Sequence, residues 1–238
     1  MTNTTNKYQS MNNSQIKRQI KAIIFDFDGL LVNTEELAVM AYDQFLGKRG
    51  IEFDHGLLGE MLGRPALINM KFLKERYNLE GEPEALLSER REITKALFEE
   101  RMALMEGVTE LLERVKNWSV KCAIASGGHR EIIVPALKRL GVDDMFSVVV
   151  ATEDLMKSSG KPDPEIFLLA AEKLAVKCGE CIVLEDSPLG VEAAKAAGMR
   201  VVFVPDVRFT DPNHAKADVI IKSLHELTDE VMGMLVGK

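Results

Sequence analysis

The 238-residue sequence has few of the features that identify disulfide-rich or membrane-spanning proteins. Three cysteines are too few for a disulfide framework in a chain of this length. No apolar run approaches the roughly 20 residues that cross a bilayer. The chain opens with a polar stretch and not with the apolar segment of a secretory signal. We therefore expect a cytoplasmic protein without a membrane partner.

The sequence also has fewer basic than acidic residues. Acidic residues outnumber basic ones by 37 to 30, which gives a net charge of -7. General attraction to nucleic acid is therefore disfavoured, and any anionic ligand must be attracted by local charges. We expect no nucleic-acid partner, and a monomer in preference to a dimer.

Two of the cysteines, Cys178 and Cys181, have the C-x-x-C spacing of a redox pair or of half a zinc site. Cys122 and the four histidines are scattered singly, so no second short-spaced pair completes a zinc site. Cys181 also begins an apolar run, where a cysteine usually packs as a small hydrophobic side chain. We interpret the pair as structural.

Short apolar runs rich in Val and Ile recur along the chain between turn-forming residues. Such runs are typical of strands that are buried on both faces. They lie at residues 22–25, 120–125, 147–151, 181–184, 201–204 and 219–221. Helical patterns separate them, as in Val108, Leu111, Leu112 and Val115, which share one helix face. This alternation predicts a Rossmann-like parallel α/β sheet.

One interval, residues 35–104, contains helical patterns but no strand-like run. Its position between the first two strands predicts an all-helical domain inserted into the α/β fold. We place a flexible N-terminal tail at 1–19, the α/β core at 20–34 and 105–238, and the helical insertion at 35–104.

Polar and charged residues follow four of the predicted strands. In open α/β sheets ligands bind beyond the carboxyl ends of the strands, so we expect these residues to lie close together. Taken singly, each residue is most often a turn former, a helix cap or a solvated side chain. Neighbouring carboxylates, however, repel strongly unless a cation lies among them, and oxygen ligands without His or Cys favour Mg²⁺. The residues are Asp26, Asp28, Ser126, Gly127, Lys161, Glu185 and Asp186.

Four segments containing these residues occur in a characteristic order. They are IFDFDGLLVNTE at 24–35, ASGG at 125–128, GKPDPEIF at 160–167, and LEDS at 184–187 followed by GVEAA at 190–194. They resemble the four motifs of the haloacid dehalogenase superfamily, and most closely the β-phosphoglucomutase-like phosphatases with a helical cap after the first motif. The resemblance extends from about residue 21 to about residue 205, and it implies that the strandless interval is this cap.

The resemblance implies a hydrolase that removes phosphate from a small phosphorylated metabolite, such as a sugar phosphate, through an aspartyl-phosphate. Asp26 would attack phosphorus, and Asp28 would protonate the leaving alcohol and later deprotonate water. Ser126, Gly127 and Lys161 would bind the transferring phosphoryl group, and Lys161 would also hold Asp26.

The resemblance further implies that Mg²⁺ is held by Asp26, Glu185 and Asp186 with the backbone carbonyl of Asp28. The four carboxylates carry -4 when ionised, and Mg²⁺ with Lys161 returns +3, which leaves -1. Protonating Asp28 makes the site neutral, so the electrostatics favour an acid at that position.

Two other activities are compatible with parts of this pattern. Mutases of the superfamily place a histidine shortly after the first motif, where this chain has Ala38, so a phosphosugar mutase is the alternative and not the first choice. A phosphoacceptor signalling module also uses Asp, Ser or Thr, Lys and Mg²⁺ on a parallel sheet. It places the phosphoacceptor after the third strand and lacks a helical insertion, which makes it the less favoured alternative.

Two further residues are candidates for substrate specificity. Arg64 interrupts the helical pattern of the insertion, where it would either bind substrate oxygen atoms or lie solvated in an ordinary turn. His129 follows the second motif, where it would either contact substrate or serve as a helix cap or surface residue.

Two residues are expected to shape helix starts. Asn33 stands where the first motif usually has Asp, and we expect it to cap the following helix with Glu36 as its reciprocal partner. Pro135 falls inside a helical pattern, and we expect it to kink that helix or to delay its start.

Overall fold

The computed structural model describes residues 16, 19–61, 64–157, 160–206 and 216–236. The expected flexible tail lies outside the described residues except for Ile16 and Gln19. Ile16 is already buried, and its carbonyl oxygen accepts a hydrogen bond from the Ile20 backbone at 2.9 Å. Packed chain is therefore present before the expected boundary at residue 19.

The described residues form two compact units. One contains the chain up to Val32 and again from Leu104 onwards, and the other contains residues 33–103. We call them the α/β unit and the helical unit. The expected insertion, residues 35–104, differs from the helical unit by two residues at its start and one at its end.

The α/β unit contains a six-stranded sheet in the order β3-β2-β1-β4-β5-β6, and every pairing in it is parallel. The strands are β1 Ala22–Phe25, β2 Lys121–Ala125, β3 Val148–Val150, β4 Cys181–Glu185, β5 Arg200–Phe203 and β6 Val219–Ile220. All six correspond to predicted apolar runs, and the predicted Rossmann-like α/β fold is confirmed. The prediction succeeded because β1 and β4 are buried along their whole length, so neither has a polar face to obscure the apolar run.

The register of the three central strands aligns their carboxyl ends. Phe25, the last residue of β1, pairs with Ile124 of β2 on one side and with Leu184 of β4 on the other. The backbone N–H of Asp26 still donates to the carbonyl of Leu184 at 3.0 Å. Residues that follow β1, β2 and β4 therefore lie at one edge of the sheet.

The helical unit is built from helices of unequal length. They are α1 Thr34–Gly47, α2 Leu58–Met61, α3 Ala66–Tyr77 and α4 Pro83–Arg101. Both α1 and α3 pack against α4. The three longer helices account for the helical patterns of this interval, whereas the short α2 and the 3-10 turn His55–Leu57 before it are too short to give such a pattern.

Asn33 corrects one expectation. Its side chain makes no hydrogen bond to the start of α1. Instead, its Oδ1 accepts from the Ala103 backbone at 2.8 Å, and its Nδ2 donates to the Arg101 carbonyl at 3.4 Å. Asn33 thus links the two ends of the helical unit, and the contact with Arg101 requires an amide donor that Asp lacks.

Further helices belong to the α/β unit. They are α5 Val108–Trp118, α6 Arg130–Arg139, α7 Glu165–Leu174, α8 Pro188–Ala196 and α9 Asp229–Val236. Helix α6 begins five residues before Pro135, so the expectation that this proline delays the helix start is wrong. Phe167 and Ala170 of α7 are buried in the core with Ala123 of β2 and Val150 of β3. Within the described ranges, no helix combines the length and the apolar character needed to cross a bilayer.

Candidate active site

The structure brings five of the predicted site residues into contact at the carboxyl edge of the sheet. Asp26 and Asp28 follow β1, Ser126 follows β2, and Glu185 ends β4. Lys161 comes from the loop before α7 and contacts both Asp26 and Glu185. The short loops after aligned strands are therefore what assembles the cluster.

Lys161 is the central cation of this cluster. Its Nζ donates to Asp26 Oδ1 at 2.5 Å and also to Glu185 Oε1, and its side chain is only 14% exposed. Burial by itself lowers the pKa of Lys161, but the carboxylates of Asp26 and Glu185 outweigh it and raise this pKa above its ordinary value. Lys161 therefore stays positively charged and holds two buried carboxylates together.

Asp26 lies in a negatively charged environment despite this lysine. Burial raises its pKa from 3.8 to about 8; Lys161 opposes the increase, and the carboxylates of Glu185 and Asp28 add to it. The Lys161 ammonium group thus does not fully offset the cost of burying a charged Asp26. A further cation beside Asp26 would favour the charged form of this side chain.

Glu185 is fully buried, and both of its carboxylate oxygens are used. Lys161 donates to Oε1, while the backbone N–H and the hydroxyl of Ser187 donate to Oε2 at 3.0 and 2.9 Å. Ser187 also caps α8, because its Oγ accepts from the Gly190 backbone at 3.1 Å. Its hydrogen bonds to Glu185 were missed, although a hydroxyl residue two positions after a strand-end carboxylate is a signal for them.

Asp28 is oriented by the second strand loop. Ser126 Oγ donates to Asp28 Oδ2 at 2.9 Å and accepts from the Gly128 backbone at 2.8 Å. Ser126 is fully buried, whereas Asp28 is half-buried. A buried hydroxyl thus fixes one oxygen of a carboxyl group that solvent still reaches.

The remaining predicted residues of the α/β unit are half-buried or exposed. Asp186 directly follows Glu185 and is half-buried, and Gly127 is exposed beside Ser126. His129 is 61% exposed, and its Nδ1 lies 2.7 Å from Glu153 Oε1, a partner that the sequence did not indicate.

Arg64 belongs to the helical unit. It is exposed, and its guanidinium lies 6.0 Å from the centre of the Phe72 ring. Its role in substrate specificity stays a prediction.

The side chains present suit a hard divalent cation. Within the part of the chain that the structure describes, no three Asp, Glu, His or Cys side chains are grouped as ligands of one metal ion. Lys161 contacts both Asp26 and Glu185. The available donors at this edge are carboxylate and backbone oxygens, which Mg²⁺ prefers. Burial, with a smaller contribution from the neighbouring carboxylates, raises the pKa of Asp26, and a bound cation would favour its charged form.

Comparisons with known proteins point to one family. A family model described as haloacid dehalogenase-like hydrolase matches residues 23–204. The phosphorylated carbohydrates phosphatase of Thermotoga maritima is 34% identical over 184 residues, which cover 77% of this chain and 84% of that protein. The fructose-1-phosphate phosphatase of Escherichia coli is 31% identical over 186 residues, which cover 76% and 95%.

A solved structure has the same fold. The β-phosphoglucomutase of Clostridium difficile matches with a TM-score of 0.70 and 26% identity, and covers 92% of this chain and 97% of its own. The two sequence relatives described above are named phosphatases, so the mutase alternative is less well supported. The chain belongs to the haloacid dehalogenase-like hydrolases, and within them to the β-phosphoglucomutase-like phosphatases.

Proposed function

We propose that this phosphatase is Mg²⁺-dependent and acts on a small sugar phosphate or a similar monoester. The observation that carries the proposal is the contact of a buried carboxylate, Asp26, with a buried ammonium group, Lys161, beside a second carboxyl group on Asp28. Phosphoryl transfer depends mainly on positioning and on charge stabilisation, and this cluster supplies both. The names of the two phosphatase relatives support the substrate class.

Asp26 is the proposed nucleophile. Lys161 holds Oδ1 and so orients the carboxylate. Attack of an Asp26 oxygen on phosphorus forms an aspartyl-phosphate as the bond to the alcohol oxygen breaks. This divides one difficult hydrolysis into two easier displacements. Lys161, the Ser126 hydroxyl and the backbone N–H of Gly127 are the proposed ligands of the transferring phosphoryl group.

Asp28 is the proposed general acid and base. Ser126 fixes its Oδ2, and the half-buried position leaves the carboxyl group accessible to a leaving group and to water. Asp28 gives its proton to the departing alcohol in the first step. The same carboxylate then takes a proton from the water that attacks the aspartyl-phosphate, which regenerates Asp26 and releases phosphate.

The proposed residues of the Mg²⁺ site are Asp26, Glu185 and Asp186, together with the backbone carbonyl of Asp28. When bound, Mg²⁺ would supply positive charge against the phosphoryl oxygens and the clustered carboxylates. Glu185 contributes by anchoring Lys161 and Ser187, because both of its oxygens are used in those contacts.

A phosphatase screen over sugar phosphates, nucleotides and phosphoglycolate tests the proposal. We expect Mg²⁺-dependent release of inorganic phosphate from at least one sugar phosphate by the wild type, and none above background by Asp26→Asn. Equal activity of both proteins would overturn the assignment. Phosphosugar isomerisation without phosphate release would establish the mutase alternative instead.

Arg64→Ala and His129→Ala test the two candidate specificity residues. We expect each substitution to raise the KM for the best substrate with little change in kcat.

A further inference from the structure

Gly190, the third residue of α8, lies against the buried carboxylate of Glu185. A Cβ atom on Gly190 would lie 1.9 Å from both Cδ and Oε1 of Glu185 and 2.3 Å from Oε2. These distances are far below van der Waals contact. The carboxylate thus fills the volume that the side chain of any other residue would need.

Backbone conformation does not explain a glycine at this position. Gly190 is helical, and its φ lies outside the positive range that favours glycine. Glycine inside a helix is in fact disfavoured relative to alanine. The reason for glycine is therefore space beside Glu185.

The position of Glu185 has consequences for the rest of the cluster. From there, its two oxygens reach Lys161 and Ser187 at the same time. Lys161 in turn reaches Asp26. Because Glu185 is 0% exposed, a displaced carboxylate could not turn into solvent and would have to give up one of these contacts.

We propose that Gly190 is a positioning residue of the active site. Because it has no side chain, it leaves the space that the Glu185 carboxylate occupies, and from this position Glu185 holds Lys161 against Asp26. The link to catalysis rests on the function proposed above. The steric link between Gly190 and Glu185 does not, so the two can be tested separately.

Thermal unfolding of the metal-free protein tests the steric link. We expect Gly190→Ala to lower the Tm by roughly 4–10 °C, as overpacking of a buried site does. In the Glu185→Asp background, where the carboxylate is one carbon shorter, the same substitution should leave the Tm unchanged or raise it by about 2–4 °C, since alanine favours the helix. In the Glu185→Gln background, where the side chain keeps its length, the loss should persist.

Gly179→Ala is the matched control. Gly179 precedes β4 in the same unit, and a Cβ atom added there would have no other atom within 4 Å. We expect this variant to keep the wild-type Tm and activity. Equal Tm changes for Gly190→Ala in the wild-type and Glu185→Asp backgrounds would overturn the steric link.

Kinetics test the link to catalysis. We expect Gly190→Ala to lower kcat about 10- to 100-fold and to raise the Mg²⁺ concentration needed for half-maximal activity, as loss of a residue that supports a metal site does. Substrate KM should change little. In the Glu185→Asp background, Gly190→Ala should cause no further loss of kcat. An equal fold loss in both backgrounds would show that Gly190 does not act through Glu185.

The outcomes separate the two proposals. A wild type that releases no phosphate from any substrate would contradict the proposed function, while the Tm comparison would still decide the role of Gly190. If the wild type is active and the Gly190→Ala variant keeps the wild-type Tm and kcat, only the role proposed for Gly190 is contradicted.

Discussion

The two units of the molecule differ in where they place their charged groups. In the α/β unit, Asp26 is 5% exposed and Glu185 is 0% exposed, and both contact the same lysine. Among the described residues of the helical unit, the buried polar side chains are the neutral Thr34 and Asn69. Burying a carboxylate is costly unless it is paired, so the two buried carboxylates and the lysine that they share distinguish the α/β unit from the helical unit.

The helical unit does contain a well-formed ion pair, but at its surface. Arg49 contacts both carboxylate oxygens of Glu89, at 3.1 and 2.5 Å. The side chains are 27% and 37% exposed, so water already solvates much of their charge. Such a pair stabilises a fold by about 1 kcal/mol or less. Similar substitutions in the two units should therefore differ strongly in their effects on activity and on stability.

A large loss of activity is expected for Asp28→Asn in the α/β unit. Loss of the general acid and base should lower kcat by about 10² to 10⁴-fold, while the amide can still bond to Ser126 and preserve the fold. Steady-state phosphate release measures the loss. Asp43→Asn, on an exposed carboxylate of the helical unit, is the control and should keep wild-type kcat. Wild-type turnover in Asp28→Asn would refute the acid and base role.

Removing a cation should destabilise the two units unequally. Lys161→Met leaves the buried carboxylates of Asp26 and Glu185 without their partner, so the free energy of unfolding should fall by about 3–5 kcal/mol. Arg49→Met, the matched change in the helical unit, should cost about 1 kcal/mol or less. Urea denaturation without Mg²⁺ measures both values. Comparable losses would contradict the contrast between the units.

The pH dependence of stability should have opposite signs in the two units. Because the pKa of Asp26 rises from 3.8 to about 8 on folding, its contribution to stability is complete below pH 3.8 and is lost as pH rises through about 8. Asp26→Asn should therefore gain Tm relative to the metal-free wild type as pH increases from 5 to 9.

Glu89 supplies the opposite case. Its hydrogen bond to Arg49 lowers its pKa below 4.5, so its stabilising effect is present above pH 4.5 and disappears as pH falls through the lowered value. Glu89→Gln should have a different Tm from the wild type at neutral pH and the same Tm in acid.

The outcome for Asp26 is decided separately. A Tm difference between Asp26→Asn and the wild type that does not change between pH 5 and 9 would show that folding does not raise the pKa of Asp26.

The two units also differ in how well the sequence predicts them. The strands of the α/β unit are mostly apolar, with charged residues only at strand ends, so their positions and the residues that follow them can be predicted from the sequence. In the helical unit, the short segment from His55 to Met61 spans fewer than two helical turns, too few for an apolar period to appear.

Within the site, the residues and the contact of Lys161 with Asp26 were predictable, but the other partners were not. Asp26, Lys161 and Glu185 could be placed together because parallel strands end at one edge. The hydrogen bonds of Ser187 and the space at Gly190 depend on how Glu185 folds back onto α8, which only the three-dimensional structure reveals. The bond from Asn33 to Arg101 likewise joins residues 68 positions apart.

Trapping the covalent intermediate tests the central claim most directly. The enzyme is mixed with its best substrate from the screen, quenched in acid within a single turnover and reduced with borohydride, which converts an aspartyl-phosphate into homoserine. Peptide mass spectrometry then locates the modified residue. The mechanism predicts homoserine at position 26 in the wild type and none in Asp26→Asn. Homoserine at another aspartate, or none in a wild type that turns the substrate over, would contradict it.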